Sequence, residues 1–158
     1  MAPTRRAVLG TATLALPLAG CLGRSGGGGQ PAATVRTRQH DDFGGILVDA
    51  DGRTLYRFDP DERGAGASAC TGGCADAWPP LTVDGEPVAG DGVEAPLTTF
   101  DRPDGSNQVA ADGWPLYRFA SDDGPGEASG QGVNDVWWVV APDGAKITEA
   151  ATSSGRSY

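Results

Sequence analysis

Lysine and histidine are almost absent from this 158-residue chain, which has only Lys146 and His40. One histidine cannot build the His-rich ligand sets of zinc enzymes. Nor is there a serine in a Gly-x-Ser-x-Gly turn for it to serve as base. No glycine-rich loop of the dinucleotide or Walker type is present, so no cofactor is expected and no catalytic set is assigned. With one lysine and eleven arginines against 21 acidic side chains, nothing can neutralise a row of phosphates, which excludes nucleic acid as a partner. No stretch sustains an apolar period of 3.6 residues, which argues against a helical fold.

What is present begins with an export signal. Arg5-Arg6 precede the uncharged run Ala7–Ala19, and Leu18-Ala19-Gly20-Cys21 follows. A basic start, a short apolar run and small residues at the cut are the parts of a secretory signal. The run is too short for a bilayer span of about 20 residues, and Pro17 breaks it as a helix. The tetrapeptide resembles a lipobox, which makes residues 1–20 a signal peptide and Cys21 the lipid attachment site. The arginine pair resembles the twin-arginine export signal. Residues 21–33, with Gly26 to Gly29 at their centre, read as a flexible tether, and the ends of its segment Leu22–Pro31 lie roughly 15–20 Å apart. The expected location is extracytoplasmic, with the domain held by lipid at the outer face of the cytoplasmic membrane.

Removing residues 1–20 takes away Arg5 and Arg6 and no acid, so the formal charge falls from −9 to −11. The Asp-rich, Lys-poor, Gly- and Ala-rich composition is similar to that of proteins from salt-loving archaea, where salt screens the self-repulsion of a carboxylate surface. With Cys21 assigned to lipid, Cys70 and Cys74 remain as an even pair in an exported chain, which points to a disulfide. In a helical turn, positions i and i+4 lie about 6 Å apart, within disulfide range. A thiolate metal site is the competing reading, and it lacks ligands. Asp59, Asp61 and Glu62, or Asp122 and Asp123, could hold calcium only without the spacing of an EF-hand, so no metal site is assigned.

The chain is written twice. Asp51-Gly52-Arg53-Thr54-Leu55-Tyr56-Arg57-Phe58 recurs 61 positions later as Asp112-Gly113-Trp114-Pro115-Leu116-Tyr117-Arg118-Phe119. Asp61 and Asp122 follow at the same distance. Ala75–Trp78 aligns with Asp135–Trp138 at a displacement of 60, which equates Trp78 with Trp138. Two repeats result, about 34–90 and 97–150, in a single domain over 34–152, followed by a tail at 153–158. Each reads as strands. The Asp-Gly pairs at 51–52 and 112–113 sit between alternating apolar segments, the pattern of two-residue hairpin turns. Asp104-Gly105 and Asp143-Gly144 are further turns. Helix is expected for at most a turn or two near Cys70–Trp78. The fold class is therefore mainly β: two tandem hairpin or meander repeats packed into one small domain.

Tyr56-Arg57-Phe58-Asp59-Pro60-Asp61 and Tyr117-Arg118-Phe119-Ala120-Ser121-Asp122 both read Tyr-x-(Phe/Trp/Tyr)-x-x-Asp. With the cysteine pair, Trp78-Pro79-Pro80 and Gly130-Gln131-Gly132, they resemble the secreted-repeat lipoproteins defined by that motif, found in bacteria and haloarchaea. The resemblance implies export and a duplicated fold, and supplies no reaction. Period-2 alternation puts Tyr56 with Phe58, and Tyr117 with Phe119, on one strand face, with Arg57 and Arg118 opposite. The motif's expected role is structural, with Asp61 and Asp122 holding turns and the tyrosine hydroxyls bonded internally. The alternative places both copies around one ligand cleft on the pseudo-symmetry axis. For the whole protein, the expectation is a non-enzymatic binding or interaction module with an unidentified surface or small-molecule partner. The alternative is a redox or metal-handling accessory protein.

Overall fold

A computed structural model describes residues 32–148. The signal segment, Cys21, nearly all of the tether and the tail lie outside the described residues. Strand β1 (Val35–His40) pairs antiparallel with β2 (Gly44–Asp49), from Val35 opposite Asp49 to His40 opposite Gly44. After β3 (Tyr56–Phe58) comes one short helix, α1 (Gly73–Ala77), where the cysteine spacing places it. The second repeat supplies β4 (Leu97–Asp101), β5 (Asn107–Ala111) and β6 (Trp114–Pro115), a three-stranded antiparallel sheet with β5 in the middle. A 3₁₀ turn at Val133–Asp135 then leads into β7 (Trp137–Val139).

Of the two expected Asp-Gly hairpin turns, the structure has one as expected and corrects the other. Asp112 and Gly113 both have positive φ, 52° and 84°, the conformation of the expected two-residue turn. The equivalent turn in the first repeat is longer. Asp49 N–H bonds the Arg53 carbonyl at 2.9 Å, leaving Ala50, Asp51 and Gly52 in the loop. The cause is Asp49, whose Oδ1 accepts from the Asp51 and Arg53 amides, both at 2.9 Å. That carboxylate stabilises the wider turn by occupying two backbone donors.

The two repeats do more than pack on one another: they exchange strands. β7 of the second repeat pairs with β3 of the first, with Tyr56 opposite Val139 and Phe58 opposite Trp137. Leu47 N–H bonds the Val140 carbonyl at 2.8 Å. In the other direction, Leu81 of the first repeat accepts from Val109 at 2.8 Å and donates to Leu116 at 3.0 Å. At the crossing, Tyr56 and Tyr117 exchange both backbone bonds, at 2.8 and 3.0 Å. Two clusters fill the interior. One is aliphatic, built on Val35, Leu47, Leu55, Leu81, Val109, Leu116 and Val140. The other gathers most of the aromatic side chains of the domain.

Because each half of the sheet system borrows its last strand, neither repeat can bury its own apolar face. Fragments 32–85 and 86–148 should therefore each lack fixed tertiary structure alone and regain it on mixing. Near-ultraviolet circular dichroism of the tryptophans reads the outcome. A native-like signal from either fragment by itself would contradict the exchange.

Candidate functional site

Tyr56 and Tyr117 occupy the crossing, and both are 0% exposed. Past each strand end the chain turns back: the Asp61 amide bonds the Phe58 carbonyl at 3.0 Å, and the Asp122 amide bonds that of Phe119 at 3.1 Å. These turns bring both buried carboxylates beside the tyrosines, and the bonding is crosswise. Tyr56 Oη donates to Oδ2 of Asp122 at 2.7 Å, and Tyr117 Oη donates to Oδ2 of Asp61 at 2.6 Å. Each motif is thus completed by the opposite repeat. The remaining carboxylate oxygens hold their own loops. Asp61 Oδ1 accepts from the Ala69 amide at 2.6 Å. Asp122 Oδ1 accepts from the Ser129 amide at 2.9 Å and its hydroxyl at 2.6 Å. A carboxylate suits this place because both its oxygens accept and neither donates.

Third partners complete the phenols. Ser68 Oγ lies 2.6 Å from Tyr117 Oη, and the Gly130 amide donates to Tyr56 Oη at 3.1 Å. Burial, and then the adjacent carboxylate, pushes both phenols well above their usual range. Burial also raises the Asp61 carboxyl, opposed by the Ala69 amide, the Tyr117 hydroxyl and the charge of Arg102. The two phenols are therefore neutral donors, unsuited to act as bases near neutrality.

Between the pairs runs a stack of four rings. Phe58 lies on Trp137 at 4.1 Å, Trp137 on Trp78 at 3.8 Å with only 3° between planes, and Trp78 on Phe119 at 3.9 Å. Tyr56 meets Trp78 edge-on at 5.3 Å, and Tyr117 meets Trp137 at 5.2 Å. Such offset and edge-to-face contacts add about 0.5–1.5 kcal/mol per pair beyond area burial. The structural mate of Trp78 is therefore Trp137, one residue earlier than the sequence alignment places it. From the motif aspartate to this tryptophan the second repeat runs 15 positions, Asp122 to Trp137, against 17 in the first, Asp61 to Trp78, and its shorter turn carries Asn134 and Asp135 at positive φ, 54° and 60°. Strand alternation then turns Trp138 outward.

The two motif loops close differently. Buried Cys70 is bonded to Cys74 with Cα atoms 5.2 Å apart, as the spacing indicates, and the Arg102 guanidinium donates to the Cys70 carbonyl at 3.0 Å. The equivalent position in the second repeat is Gly130. A Cβ there would come within 2.7 Å of Trp78 and 3.0 Å of Phe119, so the glycine lets the backbone lie on the ring stack. This loop contains no cysteine. Its aspartate, its serine and the bare glycine are what hold it.

The other candidates are drawn apart. Asp59 Oδ2 accepts from Trp138 Nε1 at 2.9 Å, and its carboxylate pairs with Lys146 at 2.9 and 3.0 Å. That leaves Asp61 buried on a phenol, and Glu62 and Asp123 exposed. Among the described residues no group of three or more His, Cys, Asp or Glu side chains is placed to hold a metal ion. His40 Nδ1 accepts from the Asp42 amide at 3.0 Å in the first hairpin turn. A crevice of about 250 Å³ lined by Pro60, Asp61, Glu62 and Ser68 falls short of the 300–1,000 Å³ usual for ligand pockets.

A family described as a secreted repeat of unknown function matches residues 37–82 and again 98–141, together more than half of the chain. The chain belongs to this family. Neither a curated protein nor a solved structure matches it. Each copy of the secreted repeat ends just past the strand it gives away, at Thr82 and Ala141. The repeat therefore corresponds to the exchanged unit rather than to either spatial half. Among the described residues no helix is long and apolar enough to cross a membrane.

Sequence reasoning also missed an outward cluster in this secreted repeat. The Arg57 guanidinium lies 3.7 Å from the centre of the Trp114 ring and donates to the Gly144 carbonyl at 3.1 Å. Arg57 sits opposite Trp138 in the register, and Lys146 lies 5.4 Å from the Trp138 ring. Both tryptophans are half-buried. The equivalent arginine, Arg118, instead bonds the Pro79 carbonyl through its amide and lies 3.3 Å from buried Asp49, with Nε unaligned for a hydrogen bond.

Proposed function

We propose that this chain is an exported, lipid-anchored surface protein that works as a non-enzymatic binding or interaction module at the outer face of the cytoplasmic membrane. The observation that carries the binding reading is the asymmetry of the outer face. The duplicated frame makes two equivalent arginine positions, and only Arg57 is flanked by two tryptophans. Their counterparts are Arg53 and Pro79. The crossed tyrosine–aspartate pairs and the ring stack repeat in both halves and this outer cluster does not, which supports a role for it beyond the shared frame. Half-exposed tryptophans with arginine are the residue types that dominate binding energy at interfaces. The motif's own hydroxyls and carboxylates are spent inside, which directs recognition to this face. The acidic remainder of the surface is read as adaptation to high salt.

A double variant, Trp114→Ala with Trp138→Ala, tests the reading by pull-down from detergent-solubilised membranes. The variant should lose a protein that the wild type retains, while its melting stays cooperative. Retention of the same proteins by a folded double variant would refute this face as the binding surface. Anchoring is tested separately. Cys21→Ser should abolish the diacylglyceryl mass and leave residues 1–20 attached, as read by intact mass. A variant that still carries the lipid would show that another residue is the anchor.

A further inference from the structure

The phenol–carboxylate pairs beside two stacked indoles offer a chemistry that goes beyond binding and does not depend on it. We propose that the core accepts one oxidising equivalent from the surface and holds it as a tyrosyl radical whose proton rests on the opposite repeat's aspartate. The entrance is Trp138, half-buried, with its indole N–H on Asp59 at 2.9 Å. Its chain neighbour Trp137 stacks on Trp78 at 3.8 Å, and each indole meets a tyrosine at 5.2 or 5.3 Å. The tyrosine hydroxyls lie 2.6 and 2.7 Å from their carboxylates, the reach required for proton transfer.

The step balances within these groups. A one-electron oxidant at the surface, such as an oxidised metal complex or an oxygen-centred radical, removes one electron from Trp138 and is itself reduced. Trp138 regains that electron from the Trp137–Trp78 pair. The pair takes it from Tyr117, whose O–H proton passes to Asp61, or from Tyr56, whose proton passes to Asp122. The net change is phenol plus carboxylate to phenoxyl radical plus carboxylic acid, with one electron gone and the proton retained. Electrostatics favour that end state. A hole left on an indole adds a positive charge to a low-dielectric interior, whereas a hole on the tyrosine turns a buried carboxylate into a neutral acid. Burial already raises the Asp61 carboxyl above its ordinary value. A small phenol or thiol at the surface returns the electron, and the aspartate returns the proton. Trp114 is the poorer entrance: the Arg57 guanidinium lies 3.7 Å from its ring centre, whereas the Lys146 ammonium stands 5.4 Å from that of Trp138 and is paired with Asp59, which also accepts the Trp138 indole N–H.

The test is flash photo-oxidation of the folded domain with a ruthenium tris-bipyridyl sensitiser and a sacrificial electron acceptor, followed by transient absorption and paramagnetic resonance. A Tyr158→Phe background leaves Tyr56 and Tyr117 as the only phenols of the chain. The expected results are a tyrosyl radical that forms more slowly in D₂O, its loss in Trp138→Phe, and its retention in Trp114→Phe. Three results would overturn the proposal: indole radicals with no tyrosyl signal, formation equally fast in D₂O, or an unchanged yield in Trp138→Phe. The isotope comparison needs no core variant, so a folding defect cannot mask the answer.

Discussion

Asp122→Asn should cost about 1–3 kcal/mol of stability, the range for leaving a buried donor unsatisfied. The substitution keeps the shape of the side chain and removes one acceptor. Whichever way the amide sits, its NH₂ faces a donor, either the Tyr56 hydroxyl or the Ser129 amide and hydroxyl. Tyr56→Phe should cost about 1–3 kcal/mol, since it strips one hydrogen bond from a buried carboxylate. The informative quantity is the coupling between substitutions. The pair Tyr56 and Asp122, 66 residues apart, should couple by about 1–2 kcal/mol, within the range for contacting residues. Tyr56 and Asp61, which belong to one copy of the motif and share no bond, should add to within about 0.5 kcal/mol. Tyr117 with Asp61 should behave as Tyr56 with Asp122 does. Denaturant melts of the single and double variants supply these numbers. Stronger coupling within a copy than across copies would mean that each motif closes on itself, contrary to the structure.

That crosswise closure marks the limit of what the chain reveals by itself. The duplication, the strand-rich class, the disulfide and the helical turn at Cys70–Trp78 were legible because each is local: a repeated string, an Asp-Gly turn, an i to i+4 cysteine pair. Burial of Tyr56 and Tyr117 was also legible, since tyrosines at alternate positions in a β-rich segment face a core. Which aspartate each tyrosine meets was not. Two identical motifs offer two pairings with the same local chemistry, and only the exchange of β7 and the segment around Leu81 chooses between them. The match of Trp78 to Trp138 failed for a related reason. String alignment scores residue identity, whereas a one-residue shift in a strand turns a ring from the core to the surface. Gly130 was visible only as a loop glycine, because nothing in the string shows that a tryptophan ring lies against it. The asymmetry of Trp114 and Trp138 could have been found by asking which positions differ between the repeats rather than which agree.

Alkali should unfold this domain in a single cooperative step above pH 10, driven by the two core phenols. Both are held above their ordinary value of 10.0, first by burial and then by the neighbouring carboxylate. The sign follows directly. The folded state favours the protonated phenol, so the associated stability is fully present below pH 10. It is lost as pH rises from there towards the folded-state values. Each phenol released on unfolding costs about 1.4 kcal/mol per pH unit in that window, and two together about 2.7. A domain with about 5 kcal/mol of stability would then unfold about two units above pH 10. Phenolate absorbance and near-ultraviolet circular dichroism should change together, since both phenols are fully buried and bonded to carboxylates within the fold. The Tyr158→Phe background removes the third phenol from the absorbance. In that background, Tyr56→Phe should halve the phenolate amplitude and flatten the dependence on pH by one proton. Ionisation of both phenols near pH 10 with the tryptophan dichroism intact would mean that the hydroxyls reach solvent in the folded protein. The crossed pairs would then be open at the surface rather than closed in the core.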